Sequence, residues 1–302
     1  MGYRFIFKKD ECLERTSKGK AETRLLARSG RVEVIKQTIA KGSTFYLDSA
    51  LEWKGFEFIY VFEGQLKYLG AELQTLIEPG DYIARELVEE RSWFTAECDT
   101  VLLYISSESA FNVMRDEVQE FHRLAHKVEL DEYLDGHCRR LEQMAKLVGH
   151  RLGLSGEQLY NLSYAAFFHD IGKAKVPVAI LQKPGELTSA EWELLRQHTV
   201  WGREMLEVKA FLKSVARIVG QTHERVDGKG YPDGLRSDEI MLEAKIIAVV
   251  DTYDAMTTDR PYRKALTKQE ATYELKKNAD TQFDPKIVEA FLQVLEAASA
   301  IS

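Results

Sequence analysis

The chain has 302 residues, 45% hydrophobic and 29% charged, with a formal net charge of −7. That balance belongs to a soluble globular protein of one or two domains. The excess of acid argues against a nonspecific DNA or RNA binder, which needs a basic face, and no apolar run approaches the ~18–20 residues of a membrane span.

The first residues, MGYRFIFKKDECLERT, contain no apolar core of signal-peptide length. Cys12, Cys98 and Cys138 form no CxxC and cannot all pair. They read as free thiols in a reducing compartment, so a cytoplasmic protein is expected. All seven histidines lie at His122 or later, so the two parts of the chain differ in chemistry.

The N-terminal part reads as β. Residues 31–39 (RVEVIKQTI) are β-branched, and 56–63 (FEFIYVFE) are aromatic and end at Gly64. QLKYL at 65–69 and DTVLLYIS at 99–106 are further strand candidates, and Glu78-Pro79-Gly80-Asp81 is a turn. Short strands with turns between them predict a small sandwich or barrel for residues 1–108. FIYVFEGQLKYLG, LIEPGDYIA and TVLLYIS together resemble a cupin-like barrel over about 30–108, with a cyclic-nucleotide-binding barrel as the alternative. The segment lacks the histidines of cupin enzymes and any evident phosphate-binding cassette, so no functional residue transfers. It is expected to serve as a structural or dimerising domain, or as a sensor for an unidentified small ligand.

From Ser109 the period becomes helical: Phe111, Met114, Val118, Phe121, Leu124, Ala125 and Val128 recur at spacings of three and four. A connecting helix is expected over 109–130, packed on its own chain or paired with its copy in a homodimer. An all-α bundle is expected over 131–302. Capping boxes mark helix starts at Ser155–Gln158, Thr188–Glu191 and Thr267–Glu270, and Asp284-Pro285 marks another. The fold class is thus α+β in two segregated domains.

His169-Asp170 ends the apolar stretch NLSYAAFFHD, and Asp251 lies inside KIIAVVDTYDAM. Buried carboxylates and imidazoles are costly unless paired or bound to metal. His137 and His198 fall on separate predicted helices, and His223 precedes a turn. This mixed N/O set suits Fe, Mn, Zn or Ni, and one carboxylate can bridge two ions.

HDIGK (169–173), KPGELT (183–188), HERVDGKGYPDGL (223–235), VDTYDAMTTDRPYRKAL (250–266) and TQFDP (281–285) resemble, in order, the motifs of the HD-GYP family. The resemblance runs from about His137 to Leu295. It implies a helical, metal-dependent phosphodiesterase domain acting on cyclic di-GMP to give pGpG or GMP, holding two divalent transition-metal ions. Fe or Mn is favoured, with Zn and Ni also suited. It implies His137, His169, Asp170, His198, His223 and Asp251 as metal ligands, with Asp170 as the bridge. It implies Lys173, Arg260 and Arg263 facing the substrate phosphates, Asp170 and Lys173 in catalysis, and Tyr231 in the signature loop Gly230-Tyr231-Pro232 against the substrate.

Two departures matter. The family's HHE reads Thr222-His223-Glu224, so one histidine ligand is missing and water is needed in its place. The position of a third-metal glutamate is Tyr133, so no third metal is expected. The alternatives are a degenerate domain that binds cyclic di-GMP or a signalling protein without turnover, and a phosphodiesterase for another cyclic dinucleotide. Neither nucleic acid nor membrane is expected as a partner. His122, His126 and His150 read as surface or packing residues. Asp254 and Asp259 either support the ligands or cap a helix.

Overall fold

The computed structural model describes residues 8, 11–18, 21–47, 55–69, 74–86, 91–112, 114, 132–209, 212–259 and 264–301. The chain divides into two compact units, Met1–Arg123 and Leu124–Ser302.

The first unit has ten strands: β1 Glu14–Lys18, β2 Ala21–Ser29, β3 Val32–Ile39, β4 Thr44–Leu47, β5 Glu57–Glu63, β6 Leu66–Leu69, β7 Gln74–Ile77, β8 Tyr82–Arg85, β9 Ser92–Ala96 and β10 Thr100–Ser106. They form a six-stranded sheet ordered β1-β2-β3-β10-β5-β8 and a four-stranded sheet ordered β4-β9-β6-β7, antiparallel throughout. Among the described residues the two sheets stay separate. The architecture is therefore an open sandwich, and the closed-barrel half of the expectation is corrected. The alternation of β5 explains the core: Ile59 and Val61 point inward with Leu25, Ile35, Leu102 and Phe94, while Phe58 and Tyr60 take the opposite face.

Two buried acids in this unit are fully engaged. Glu57 accepts from the Tyr104 hydroxyl at 2.5 Å and from Arg85 Nε at 2.6 Å. Glu33 accepts from the backbone N–H groups of Ala110 and Phe111 at 2.8 and 2.7 Å, capping the turn that follows β10. The side chain of Phe111 is buried in the sandwich core. Residues 115–130 of the expected connecting helix, with His122 and His126, lie outside the described residues.

The second unit is helical: α1 Glu132–Arg151, α2 Gly156–Phe168, a 3₁₀ turn Ile171–Lys175, α3 Val178–Leu181, α4 Ser189–Arg196, α5 His198–Glu207, α6 Lys213–Val219, a 3₁₀ turn Ser237–Glu239, α7 Leu242–Thr257, α8 Lys268–Lys277 and α9 Pro285–Ile301. The three capping boxes form as read, each with the Ser or Thr hydroxyl accepting from the third helical N–H and the Gln or Glu reaching back. Asp284 caps α9 through Lys286 N–H at 3.0 Å. Helix α7 buries Ala244, Ile246, Ile247, Val249, Val250, Tyr253 and Met256, apolar nearly all round, because α1, α2, α8 and α9 all pack on it. Asp251 and Asp254 interrupt that surface one turn apart, both toward α1.

Candidate metal centre

His137 sits in the first turns of α1, His169 caps α2, His198 opens α5, His223 follows α6, and Asp251 lies in α7. The bundle brings them into two adjoining groups. Ligand atoms of His137, His169 and Asp251 lie within 4.8 Å of one another, as do those of Asp170, His198 and His223. Asp170 stands between the groups. Its Oδ2 is 3.3 Å from His169 Nε2 and its Oδ1 is 3.4 Å from His198 Nε2.

The tautomers follow from what each ring nitrogen meets. His169 Nδ1–H donates to Ala166 O at 2.9 Å, and His198 Nδ1–H donates to Leu195 O at 2.7 Å. His137 Nδ1–H donates to Asp254 Oδ2 at 2.6 Å. In His169 and His198 this leaves the lone pair on Nε2, facing the cluster; His137 also turns Nε2 to the cluster, 3.4 Å from Asp251 Oδ1, and must release the proton held there to bind an ion. Asp254 is itself held by Arg140 through Nε at 2.7 Å and Nη2 at 2.9 Å. This settles the choice left open for Asp254: it orients His137. Asp259 accepts from Ala265 N–H at 2.7 Å.

His223 is fixed by stacking. Its ring lies on Tyr231, centroids 5.0 Å apart and planes 7° from parallel, and the Arg196 guanidinium covers that tyrosine at 5.4 Å. Glu224 holds the loop carrying Tyr231. Its buried carboxylate accepts from the backbone N–H groups of Asp233, Gly234 and Leu235 at 2.7, 3.0 and 3.0 Å. Gly230 permits the fold-back, since a Cβ there would sit 2.5 Å from the backbone of Glu224 and Arg225. Gly172 is equally constrained: a Cβ would meet the His198 carbonyl oxygen at 1.8 Å. The glycine of HDIGK is what lets the Asp170 turn lie against the start of α5.

The electrostatics favour a cation. Burial would push the Asp170 carboxyl up, but Lys173 and the imidazoles of His169 and His198 outweigh it and hold it well below the usual carboxylate range. Asp251 is likewise lowered to about 2 against its burial, chiefly by its hydrogen bond from His137. Burial, with repulsion from His198, lowers His223 to about 4. Burial also lowers His198. Both stay neutral at physiological pH, the state a metal requires.

A direct test of fit lies in the unsatisfied atoms. Asp170 Oδ1, His198 Nε2 and His223 Nε2 are buried and lack a hydrogen-bond partner. Buried polar atoms are seldom left so, and these three converge in one group. The residues present fit a divalent transition metal, with His137, His169, Asp170 and Asp251 at one position and Asp170, His198 and His223 at the other. Thr222 adds nothing to the second. Its hydroxyl is turned back to donate to Val219 O at 3.0 Å.

Lys173 Nζ lies 2.6 Å from Asp170 Oδ2. Arg260 and Arg263 lie outside the described residues. Beside the metal groups is a cavity of about 270 Å³ whose lining includes Arg196, His223, Lys229, Tyr231, Asp251 and Gln282. Sequence reasoning missed Arg140, Arg196 and Glu224. The signal for Glu224 was present, as an acid three residues ahead of the glycine-rich DGKGYPDG run. Arg140 and Arg196 carried none, because their partners are distant in sequence. No helix among the described residues is long and apolar enough to cross a membrane.

The family model for the HD domain matches residues 124–287. The chain is 38% identical over 197 residues to the cyclic di-GMP phosphodiesterase response regulator RpfG of Xanthomonas campestris, covering 63% of this chain and 52% of that one. It is 37% identical over 163 residues to 3'3'-cGAMP-specific phosphodiesterase 3 of Vibrio cholerae, covering 54% and 35%. It is 37% identical over 171 residues to a cyclic di-GMP phosphodiesterase of Thermotoga maritima, covering 55% and 46%. The chain thus spans about a third to a half of the length of these curated relatives. With the HDIGK and GYP motifs folded around the paired histidine and aspartate groups, the chain belongs to the HD-domain family of phosphohydrolases, in its HD-GYP branch.

Proposed function

We propose that this protein is a metal-dependent phosphodiesterase that hydrolyses a cyclic dinucleotide, and that its substrate is cyclic di-GMP. The observation that carries the reading is the convergence of Asp170 Oδ1, His198 Nε2 and His223 Nε2, buried and unpartnered, next to a second group of His137, His169 and Asp251. A pair of divalent ions held there would supply Lewis acidity toward the phosphate and a nucleophile from water at neutral pH.

The chain's own residues do the rest. Asp170 presents one oxygen to each group and keeps the two positions adjacent. The walls of the cavity carry Arg196 and Lys229, cations that attract a phosphodiester and offset charge developing on its oxygens. Lys173, now on Asp170, is close enough to the cluster to share that task. Tyr231 stacks on His223 and lines the cavity. Hydrolysis adds water across one P–O bond, opening the ring to linear pGpG. A second cut gives GMP. Similarity to relatives named for cyclic di-GMP and for 3'3'-cGAMP supports the cyclic-dinucleotide class.

Thr222 favours a second reading. With its hydroxyl committed to Val219, the second position has three protein ligands, and a one-metal receptor that binds without turnover is the alternative. The test is hydrolysis of cyclic di-GMP and 3'3'-cGAMP by protein purified without oxygen, with Fe(II) and Mn(II) supplied separately and products separated by chromatography. Release of pGpG or GMP, abolished together with metal retention in Asp170→Ala, is expected. Full activity in Asp170→Ala overturns the metal mechanism, and metal-loaded protein that binds without product identifies a receptor. The β unit is proposed as a regulatory domain, and a homodimer through it or through residues 109–130 remains part of this reading, tested by sedimentation.

A further inference from the structure

We propose that the exposed face of α4 seats the distal purine base of the cyclic dinucleotide, with Trp192 as its stacking surface and Glu193 as the group that selects guanine. This rests on the cyclic-dinucleotide reading above and goes beyond it, because it names what distinguishes guanine from adenine.

Ser189, Trp192, Glu193 and Arg196 fall at i, i+3, i+4 and i+7 and so share one face of the helix. Among the described residues these four line a second cavity, of about 320 Å³. Arg196 lines both this cavity and the one beside the metal groups, which makes the two neighbours. The spacing suits a dinucleotide. Trp192 lies about 6 Å along the helix axis from Arg196, at 1.5 Å per residue, and Arg196 is two residues from His198. A phosphate at Arg196 would therefore place its attached nucleoside over the indole.

The surfaces are of the right kind. Trp192 is 47% exposed, a large apolar ring on a helix otherwise open to solvent. Trp201, by contrast, is only partly exposed, on α5. Exposed indoles bind bases by stacking, and every purine has the face to stack. Glu193 is exposed and has no basic partner among the described residues. A carboxylate accepts two hydrogen bonds from guanine, at N1–H and the N2 amine. Adenine offers neither in that arrangement. The platform is also rigid: Glu191 accepts from Lys183 Nζ at 2.5 Å and from Thr188 N–H at 2.7 Å, fixing the start of α4.

The test uses the full chain loaded with Mn(II) and a phosphorothioate analogue of cyclic di-GMP that resists cleavage, with affinity read by calorimetry and by tryptophan fluorescence. The analogue should quench fluorescence, and Trp192→Phe should remove most of that quenching while keeping affinity near wild type. Trp192→Ala should weaken binding about tenfold. Glu193→Gln should reduce the preference for cyclic di-GMP over 3'3'-cGAMP about tenfold. Wild-type affinity in Trp192→Ala, or an unchanged preference in Glu193→Gln, overturns the assignment of that residue. Turnover by the wild type with affinity indifferent to Trp192 removes the subsite and leaves the phosphodiesterase reading standing. Binding that depends on Trp192 without turnover does the reverse, and failure to bind either dinucleotide removes both.

Discussion

Replacing Asp254 by Asn tests whether the first metal position depends on a residue that does not touch the ion. Asp254 is buried and accepts three hydrogen bonds: from His137 Nδ1 at 2.6 Å, Arg140 Nε at 2.7 Å and Arg140 Nη2 at 2.9 Å. Oδ2 serves both His137 and Arg140, whereas Oδ1 serves Arg140 alone. An Asn side chain has one acceptor oxygen, so either orientation sets its amide N–H against another donor. If the oxygen stays with His137, the amide faces Arg140 Nε. If it turns to Arg140, the amide faces His137 Nδ1, the ring proton moves to Nε2, and the lone pair meant for the metal is blocked. Loss of such a support costs about 10–100-fold in metal affinity, or about 1.4–2.7 kcal/mol. Chelator competition with Mn(II) measures this directly, alongside thermal unfolding of the metal-free protein to separate it from a folding defect. A metal affinity within twofold of wild type would refute the chain of reasoning from Asp254 through the His137 tautomer to the ion.

Three further outcomes are expected. Burial opposes charge on His137, but hydrogen bonds to Asp251 and Asp254 outweigh it and raise the ring to about 9. Metal must displace that proton from Nε2, so affinity should rise about tenfold per pH unit up to about 9 and then level off, with about one proton released near pH 7.5; calorimetry in buffers of different ionisation enthalpy counts it, and release of none contradicts the assignment. Gly172→Ala forces a Cβ to 1.8 Å from the His198 carbonyl; displacing α5 should cost at least about 1–3 kcal/mol, lowering Tm by several degrees and reducing bound metal, and an unchanged Tm would show that the HDIGK turn can shift freely. Glu224→Gln puts an amide donor against the backbone N–H groups it now accepts from; about 1.5–3 kcal/mol of local stability should go, seen as faster hydrogen exchange at 231–235, and unchanged protection there would mean the loop is held by other contacts.

Much of this protein was legible in its sequence, for local reasons. The helix starts at Ser155, Thr188, Thr267 and Asp284 were readable because a cap acts within three residues of itself. β5 and β10 declared themselves through β-branched and aromatic residues bounded by turns. β1, with only Glu, Arg, Thr, Ser and Lys, did not, because it is a strand only by virtue of pairing with β2. The choice between the expected sandwich and barrel was equally invisible, since closure depends on which distant strands pair.

The candidate ligands could be named as residue types in motifs, because the motif fixes identity and order. Their grouping could not, and tertiary structure alone decided it. His137 and Asp254 are 117 positions apart, yet 2.6 Å separates their atoms. The stack of His223, Tyr231 and Arg196 and the turning of Thr222 toward Val219 are likewise products of packing. A sequence specifies which groups exist and the local backbone they prefer. Only the burial of the apolar faces of α1, α2 and α7 against one another brings those groups within bonding distance, and sets the burial and neighbouring charges that decide their protonation.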